Sequence, residues 1–238
     1  MISFIVPTKN EEKTIEKTLK CISEYRGEKE IIVSDGRSTD GTIPLAQKYA
    51  TVIEPKNNAK QNISIGKNGG AKKARGEYLV FLDADVCVPD INSFFQKAES
   101  ILLSNPKIVG LTVAIRVFPE NENLGDKIIF PVFNFYNLIL NNYLGIGAAV
   151  GEFQMVRRDV FEKLGGYDER LVASEDYEFF QRLAKEGKTY FAKGLKIYHT
   201  GRRGHQIGWP KLLSQWVLNG FSVAFRKRAY TKEWKVIR

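Results

Sequence analysis

At 238 residues and 43% apolar content, the chain can form one large domain or two small ones around a substantial core. Lys and Arg number 36 against 27 Asp and Glu, a formal charge of +9 that suits phosphate-bearing partners: nucleotides, an anionic lipid surface or nucleic acid. Two cysteines, Cys21 and Cys87, exclude a disulfide framework and a cysteine-spaced metal cluster, and they fit a reducing compartment.

Ile2 to Val6 reads as a first strand, which Pro7 ends too soon for a signal-peptide core or a membrane span. Asn10 is expected to cap the next helix, with Glu11 and Glu12 in its first turn and Ile15, Leu19 and Ile22 as its inward stripe. Glu30 to Ser34 forms a second strand ending on Asp35-Gly36. A helix through Leu45, Ala46 and Tyr49 leads to a short strand at Thr51 to Ile53. Pro55 to Asn62 is a polar loop, and a lysine-rich helix runs to about Arg75. Gly66 to Ala71 lacks the Gly-Lys-Ser/Thr ending of a P-loop and precedes its strand. Its glycines indicate close helix packing, with Lys67, Lys72 and Lys73 mostly solvated and at most one of them near phosphate.

Tyr78 to Leu82 is apolar throughout and predicts a strand buried on both faces, which stops on Asp83-Ala84-Asp85. Ionised Asp is rarely buried without a partner or a metal, so this strand emerges at the carboxyl edge of its sheet. The pleat places Asp83 and Asp85 on one side, able to share a cation or straddle an anionic ligand. An amphipathic helix follows over Ile91 to Leu103. Alternating strands and helices predict an α/β fold with a mostly parallel, Rossmann-like sheet flanked by helices, joined by right-handed crossovers. The ends at Pro7-Thr8, Asp35-Gly36 and Asp83-Ala84-Asp85 then converge on one crevice. Carboxylates there, in a basic protein, point to a phosphate ligand bridged by a hard cation such as Mg²⁺.

In the second half, Ile108 to Val117 is a long strand. Residues 128–150 are rich in aromatic and apolar side chains but interrupted by Pro131 and asparagines. They read either as a helix under the domain or as a greasy acceptor groove or membrane-dipping helix. Gly151 to Arg157 is another strand, and Phe161 and Leu164 pack a short helix. Ser174 is expected to cap a helix with Glu175 and Asp176 in its first turn, an inward stripe of Phe179, Phe180, Leu183 and Ala184, and an end at Gly187. His199 closes a strand. Arg202 and Arg203, flanked by Gly201 and Gly204, suggest a mobile loop able to clamp a diphosphate.

Several of these pieces together resemble the family 2 glycosyltransferases with the GT-A fold. They are Val6-Pro7-Thr8-Lys9-Asn10-Glu11-Glu12, Val33-Ser34-Asp35-Gly36 through Thr42, Ala74-Arg75-Gly76-Glu77-Tyr78, Leu82-Asp83-Ala84-Asp85, Gly165-Gly166-Tyr167-Asp168-Glu169 and Ser174-Glu175-Asp176. The resemblance covers about residues 1–200. It departs at Ser34-Asp35, where many members have two consecutive acids, so the base-binding role falls on Asp35 alone. The resemblance implies an inverting transfer of sugar from a nucleotide-diphosphate donor, with a UDP-sugar expected ahead of a GDP-sugar. It implies that Pro7, Thr8 and Glu11 line the nucleotide pocket, that Asp83 and Glu175 contact substrate, and that Asp176 is the general base, acting as an ionised carboxylate. It also implies Mg²⁺ or Mn²⁺ on Asp85 and Asp83, with His199 completing the site.

The expected organisation is a single GT-A-like catalytic domain over 1–208, with a nucleotide-sugar half at 1–115 and an acceptor half at 116–208. Beyond it lies an amphipathic basic helix at 209–238. In that helix Trp209, Leu212, Leu213, Trp216, Val217, Gly220, Phe221 and Ala224 share one face opposite Lys211, Ser214, Gln215, Asn219 and Ser222. A basic tail from Arg226 to Arg238 follows. The apolar face either closes the core or lies on an anionic membrane. The latter favours a peripheral enzyme on a cytoplasmic membrane face with a lipid-linked acceptor and no nucleic-acid partner. Two other classes remain: a nucleotidyltransferase, which should carry a Gly-rich loop after its first strand where this chain has Pro7-Thr8-Lys9-Asn10, and a basic membrane- or nucleic-acid-binding module, which leaves the acids at the strand ends without a role.

Overall fold

The computed structural model describes residues 1–55, 61–226 and 228–231. Part of the Pro55 to Asn62 loop, and Lys227, Lys232, Glu233, Lys235 and Arg238 of the basic tail, lie outside the described residues. The elements run β1 (Ile2–Thr8), α1 (Ile15–Ser23), β2 (Lys29–Asp35), α2 (Thr42–Ala46), β3 (Thr51–Ile53), α3 (Ile63–Ala71), β4 (Tyr78–Leu82), α4 (Ile91–Ser104) and β5 (Ile108–Val117). Then come α5 (Leu124–Leu138), a π-helical turn (Ile139–Tyr143), β6 (Phe153–Arg157), α6 (Arg158–Lys163), α7 (Glu175–Glu186), β7 (Lys188–His199), α8 (Arg202–Ile207) and α9 (Trp209–Arg226).

The strands make a seven-stranded sheet in the order β3-β2-β1-β4-β6-β5-β7. All neighbours are parallel except β6, which runs antiparallel to both β4 and β5. This reversal leaves β1, β2, β4 and β7 with their carboxyl ends on one edge. β1 and β4 are buried on both sides, as the unbroken apolar run of β4 requires. Phe4, Val6, Val80 and Leu82 face a core with α1 and α4, while Ile5, Leu79 and Phe81 face a second core with Phe161, Phe179 and Phe180 from α6 and α7. Gly70 of α3 lies against β1 so closely that a Cβ there would collide with Ile5 Cγ2.

Three local expectations fail. Asn10 does not cap α1; the helix begins after Thr14, and Asn10 (φ 55°) accepts a hydrogen bond from the Thr39 N–H at 2.8 Å instead. Ser174 precedes α7 in a left-handed conformation (φ 60°) and makes no side-chain cap. The stretch after Gly201 is not a loop, because Arg202 and Arg203 open α8, which His205 Nε2 ties to the buried Asp126 at 2.7 Å.

The C-terminal helix joins the two readings of its apolar face. Trp209 packs edge-on to Phe130 at 5.3 Å, and Trp216 lies on Phe133 at 5.3 Å, so α9 closes over α5. Asn219, assigned to the polar face, is buried and accepts from Thr231, while Val217, Leu218, Phe221 and Phe225 remain exposed. Among the described residues no helix is long and apolar enough to cross a membrane.

Candidate active site

The carboxyl edge of the sheet is laced together by side chains of the loops that leave it. After β1, the Asn10 N–H donates to Ser38 Oγ at 2.7 Å and the Glu11 N–H to Thr42 Oγ1 at 2.7 Å. After β2, the buried Asp35 accepts from the Ser38 N–H at 2.8 Å and from its hydroxyl at 2.5 Å. Pro7 and Thr8 are buried beneath these loops. Asn10, Arg37 and Ser174 all have positive φ, and all three sit where the chain turns into this edge.

Glu11 is buried and receives both guanidinium amino groups of Arg202, at 2.5 and 2.7 Å, as well as the Thr14 hydroxyl at 2.7 Å. The same Arg202 reaches Asp85 through Nε at 3.4 Å, and the Thr200 hydroxyl donates to the same Asp85 oxygen. The arginine meant for a diphosphate is therefore engaged with two carboxylates. A cleft of about 180 Å³ opens beside Asp85, with Lys13, Lys17 and Asn121 in its walls.

β4 ends at Leu82, so Asp83 and Asp85 stand on a turn rather than a continued pleat. Burial drives the Asp83 carboxyl well above its ordinary range, and Glu152 adds to the effect. Glu152 also lies 3.8 Å from His199 Nδ1. His199 packs edge-on to Phe130 at 5.1 Å, and its Nε2 is buried without a hydrogen-bond partner. Among the described residues no group of three His, Cys, Asp or Glu side chains is disposed to hold a metal ion. Asp83, Asp85 and His199 thus do not form a ready three-ligand set, since Asp85 is turned to Thr200 and Arg202 and His199 to Glu152. The donor set still suits a hard cation shared with phosphate. Magnesium takes one or two carboxylates plus substrate oxygens, and the orphaned Nε2 is a further open donor.

On the other side of the crevice, Lys67 is not solvated. It is buried, 1% exposed at the side chain, and lies 3.0 Å from Glu175 Oε1 with its ammonium 4.9 Å over the Tyr167 ring. Burial alone would lower its pKa, and the Glu175 carboxylate more than reverses this, so the ammonium stays charged. Along α3, Asn62 donates to the Glu169 carbonyl at 2.7 Å, Ser64 to that of Leu171 at 3.1 Å, and Asn68 to that of Tyr167 at 2.9 Å. One helix therefore holds the whole Gly166 to Glu175 segment. Asp176 follows, with Oδ1 accepting the Tyr177 N–H at 2.8 Å, and a Cβ on Gly151 would sit 3.1 Å from its Oδ2. Burial pushes this carboxyl up to about 7, assisted by Glu175 and opposed by Lys67. Simple complementarity with a helix end would leave it ionised at lower pH.

The edge thus gathers Pro7, Thr8, Glu11, Asp35, Asp85 and Arg202, with Asp83, Glu175, Asp176 and His199 around it, while half-buried Arg203 continues α8 behind Arg202. Thr200 and Glu152 are participants that the sequence reading passed over. Thr200 directly follows His199, and Glu152 falls inside the Gly151 to Arg157 stretch, one residue ahead of β6.

The family model for glycosyl transferase family 2 matches residues 3–165 of this chain. The chain belongs to that family. Its fold is GT-A-like. The solved structure of a mannosyltransferase from Pyrobaculum calidifontis in complex with GDP-Man and Mn²⁺ superposes with a TM-score of 0.75, at 20% identity, over 94% of this chain and 64% of that one. A succinoglycan biosynthesis protein of Rhizobium meliloti is 27% identical over 203 residues, covering 77% of this family 2 chain and 58% of the relative. A cholesterol galactosyltransferase of Borreliella burgdorferi is 24% identical over 220 residues, covering 85% and 61%. The chain spans between about a quarter and three fifths of the length of the curated relatives it matches.

Proposed function

We propose that this chain transfers a sugar from a nucleoside diphosphate donor to an acceptor hydroxyl, with inversion. The observation that carries the reading is the meeting, at one sheet edge, of the Asp83-Ala84-Asp85 turn with a half-buried acid, Asp176, whose proton affinity desolvation raises to about 7. A general base serves best when its pKa is near the working pH. In this reading Asp176 accepts the proton of the acceptor hydroxyl as its oxygen attacks the anomeric carbon. The bond from that carbon to the diphosphate oxygen breaks, and a single displacement inverts the centre. Asp35, Pro7, Thr8 and Glu11 form the nucleotide pocket, and Glu175 helps bound the substrate side. Asp85 and Asp83, with His199, would hold Mg²⁺ or Mn²⁺. When bound, such an ion stabilises the charge left on the diphosphate. Arg202 and Arg203 lie where a phosphate could draw the guanidinium of Arg202 away from Glu11.

Residues 1–115 are assigned to the donor and 116–208 to the acceptor, with α9 beyond. The nucleoside is uridine or guanosine; the solved mannosyltransferase carries GDP-Man with Mn²⁺. A lipid-linked acceptor at a membrane is supported by the exposed apolar residues of α5 and α9 and by a relative that acts on cholesterol. A nucleotidyltransferase reading has no comparable support, because the family match runs through the donor-side motifs.

Calorimetry tests the donor site directly. UDP and GDP are titrated into the chain with Mn²⁺ and again in EDTA. At least one should bind with Mn²⁺ and lose most of its affinity in EDTA and in Asp85→Ala. Equal binding in EDTA overturns the metal assignment, and no binding of either nucleotide overturns the donor reading.

A further inference from the structure

We propose that Cys21 and Cys87 form a disulfide-forming oxidation site that staples α1 to the acid-bearing turn. The two sulfurs are 3.1 Å apart although 66 residues separate them in the chain. Both cysteines are unbridged and half-buried. Their contact is held by hydrogen bonds that fix the Cys87 backbone to β7 and dock α1 onto the Ala84 to Val88 segment. The Cys87 N–H donates to the Tyr198 carbonyl at 2.8 Å, and the Tyr198 N–H returns to the Cys87 carbonyl at 2.9 Å. On the α1 side, Thr18 Oγ1 donates to the Ala84 carbonyl at 2.8 Å, and the Val88 N–H donates to Cys21 Sγ at 3.2 Å. A disulfide is about 2.05 Å long, so the sulfurs need approach by only about 1 Å.

The oxidant is a peroxide, and the reaction balances in two steps. One thiol sulfur attacks a peroxide oxygen, the O–O bond breaks, and a water leaves with the thiol proton, giving a sulfenic acid. The second thiol sulfur displaces that hydroxyl as a second water, and the S–S bond forms. Two thiols lose two electrons, and one hydrogen peroxide becomes two waters. A dithiol reductant reverses the change. The covalent link would fix α1, which follows the Glu11 segment, to the turn of Asp83 and Asp85. Through the Cys87–Tyr198 pairing it would also fix the end of β7 that carries His199. The inference stands on the thiols alone and does not depend on which sugar or acceptor is used.

The test uses the full reduced chain, treated with hydrogen peroxide, quenched with iodoacetamide and read by intact-mass and peptide mass spectrometry. The expected product is lighter than the reduced chain by two hydrogens and takes up no alkyl groups. It yields a peptide pair joining Cys21 to Cys87, and dithiothreitol restores two alkylatable thiols. Cys21→Ser and Cys87→Ser should each lose the cross-link. The oxidised wild type should melt above the reduced chain, because the link restricts the unfolded ensemble. Full alkylation of both thiols after peroxide, a cross-link found only between two chains, or sulfinic acid on one cysteine with the other still free would each overturn the assignment. The cross-link map of the wild-type chain decides the matter even if a serine variant folds poorly.

Discussion

Lys67 Nζ lies 3.0 Å from Glu175 Oε1, and both side chains are withdrawn from solvent, at 1% and 9% exposure. The pair joins α3 to the first residue of α7, so it sets where the following Asp176 stands. Removing one member of a buried ion pair strands the other charge, at a cost of about 3–5 kcal/mol. Lys67→Met should lose stability on that scale in urea unfolding, and adding Glu175→Gln should recover much of it. A single-variant loss below about 1 kcal/mol would show that water reaches the site.

The raised Asp176 carboxyl makes stability and activity respond to pH in opposite directions. Its value is about 7, against an ordinary 3.8. Between those values the unfolded chain has lost the proton that the folded chain keeps, so this group's contribution falls as pH rises and levels off above about 7. At 1.36 kcal/mol per unit, the full change is a few kcal/mol. Asp176→Asn should therefore gain stability over the wild type at pH 8 and gain nothing at pH 3. Transfer needs the ionised base, so turnover should climb through about pH 7, and Asp176→Asn should lose about 10²–10⁴-fold with nucleotide affinity kept. A flat pH–rate profile, or near-full turnover in the variant, would remove Asp176 from the reaction.

Arg202 meets Glu11 in a two-pronged contact that a lysine cannot reproduce. Arg202→Ala takes both guanidinium contacts from the buried Glu11, and thermal unfolding should report a loss of about 1.5–3 kcal/mol. Arg202→Lys should fall between the wild type and the alanine variant. Equal melting temperatures for all three would mean that the fork contributes no stability.

Membrane attachment is tested by co-sedimentation with vesicles. Val217, Phe221 and Phe225 recur along one exposed line of α9, and Leu124, Ile128 and Val132 along α5. Binding should require anionic lipid, weaken with salt, and fall in Phe221→Ser combined with Phe225→Ser. These substitutions are preferable to deleting α9, whose Trp209 and Trp216 cover Phe130 and Phe133. Equal recovery in the supernatant with and without anionic vesicles would leave α9 with its packing role alone.

What the sequence disclosed follows the range of the interactions involved. The strands at Thr51 to Ile53 and Ile108 to Val117 appear at the expected residues, because apolar runs and their turn residues are local signals. The acids at the strand ends were legible for the same reason. The burial of Lys67 was not, since its partner lies 108 residues on. Nor was the role of Asn10, whose side chain is taken by the loop after β2 rather than by its own helix. The helix at Arg202 depends on a contact from His205 to Asp126, 79 residues away. The reversal of β6 carries no mark in periodicity, which is identical for either strand direction.

The partners Glu11 and Arg202 are 191 residues apart. A chain leaves the ribosome amino end first at about 5–20 residues per second. Glu11 is therefore made roughly 10–40 s before its guanidinium has even been synthesised. Thr200, the hydroxyl donor to Asp85, arrives equally late. During that interval β1 to β4 can pair, yet Glu11 and Asp85 lack the guanidinium that both contact in the finished molecule. The edge whose strands are made first is the last to be completed.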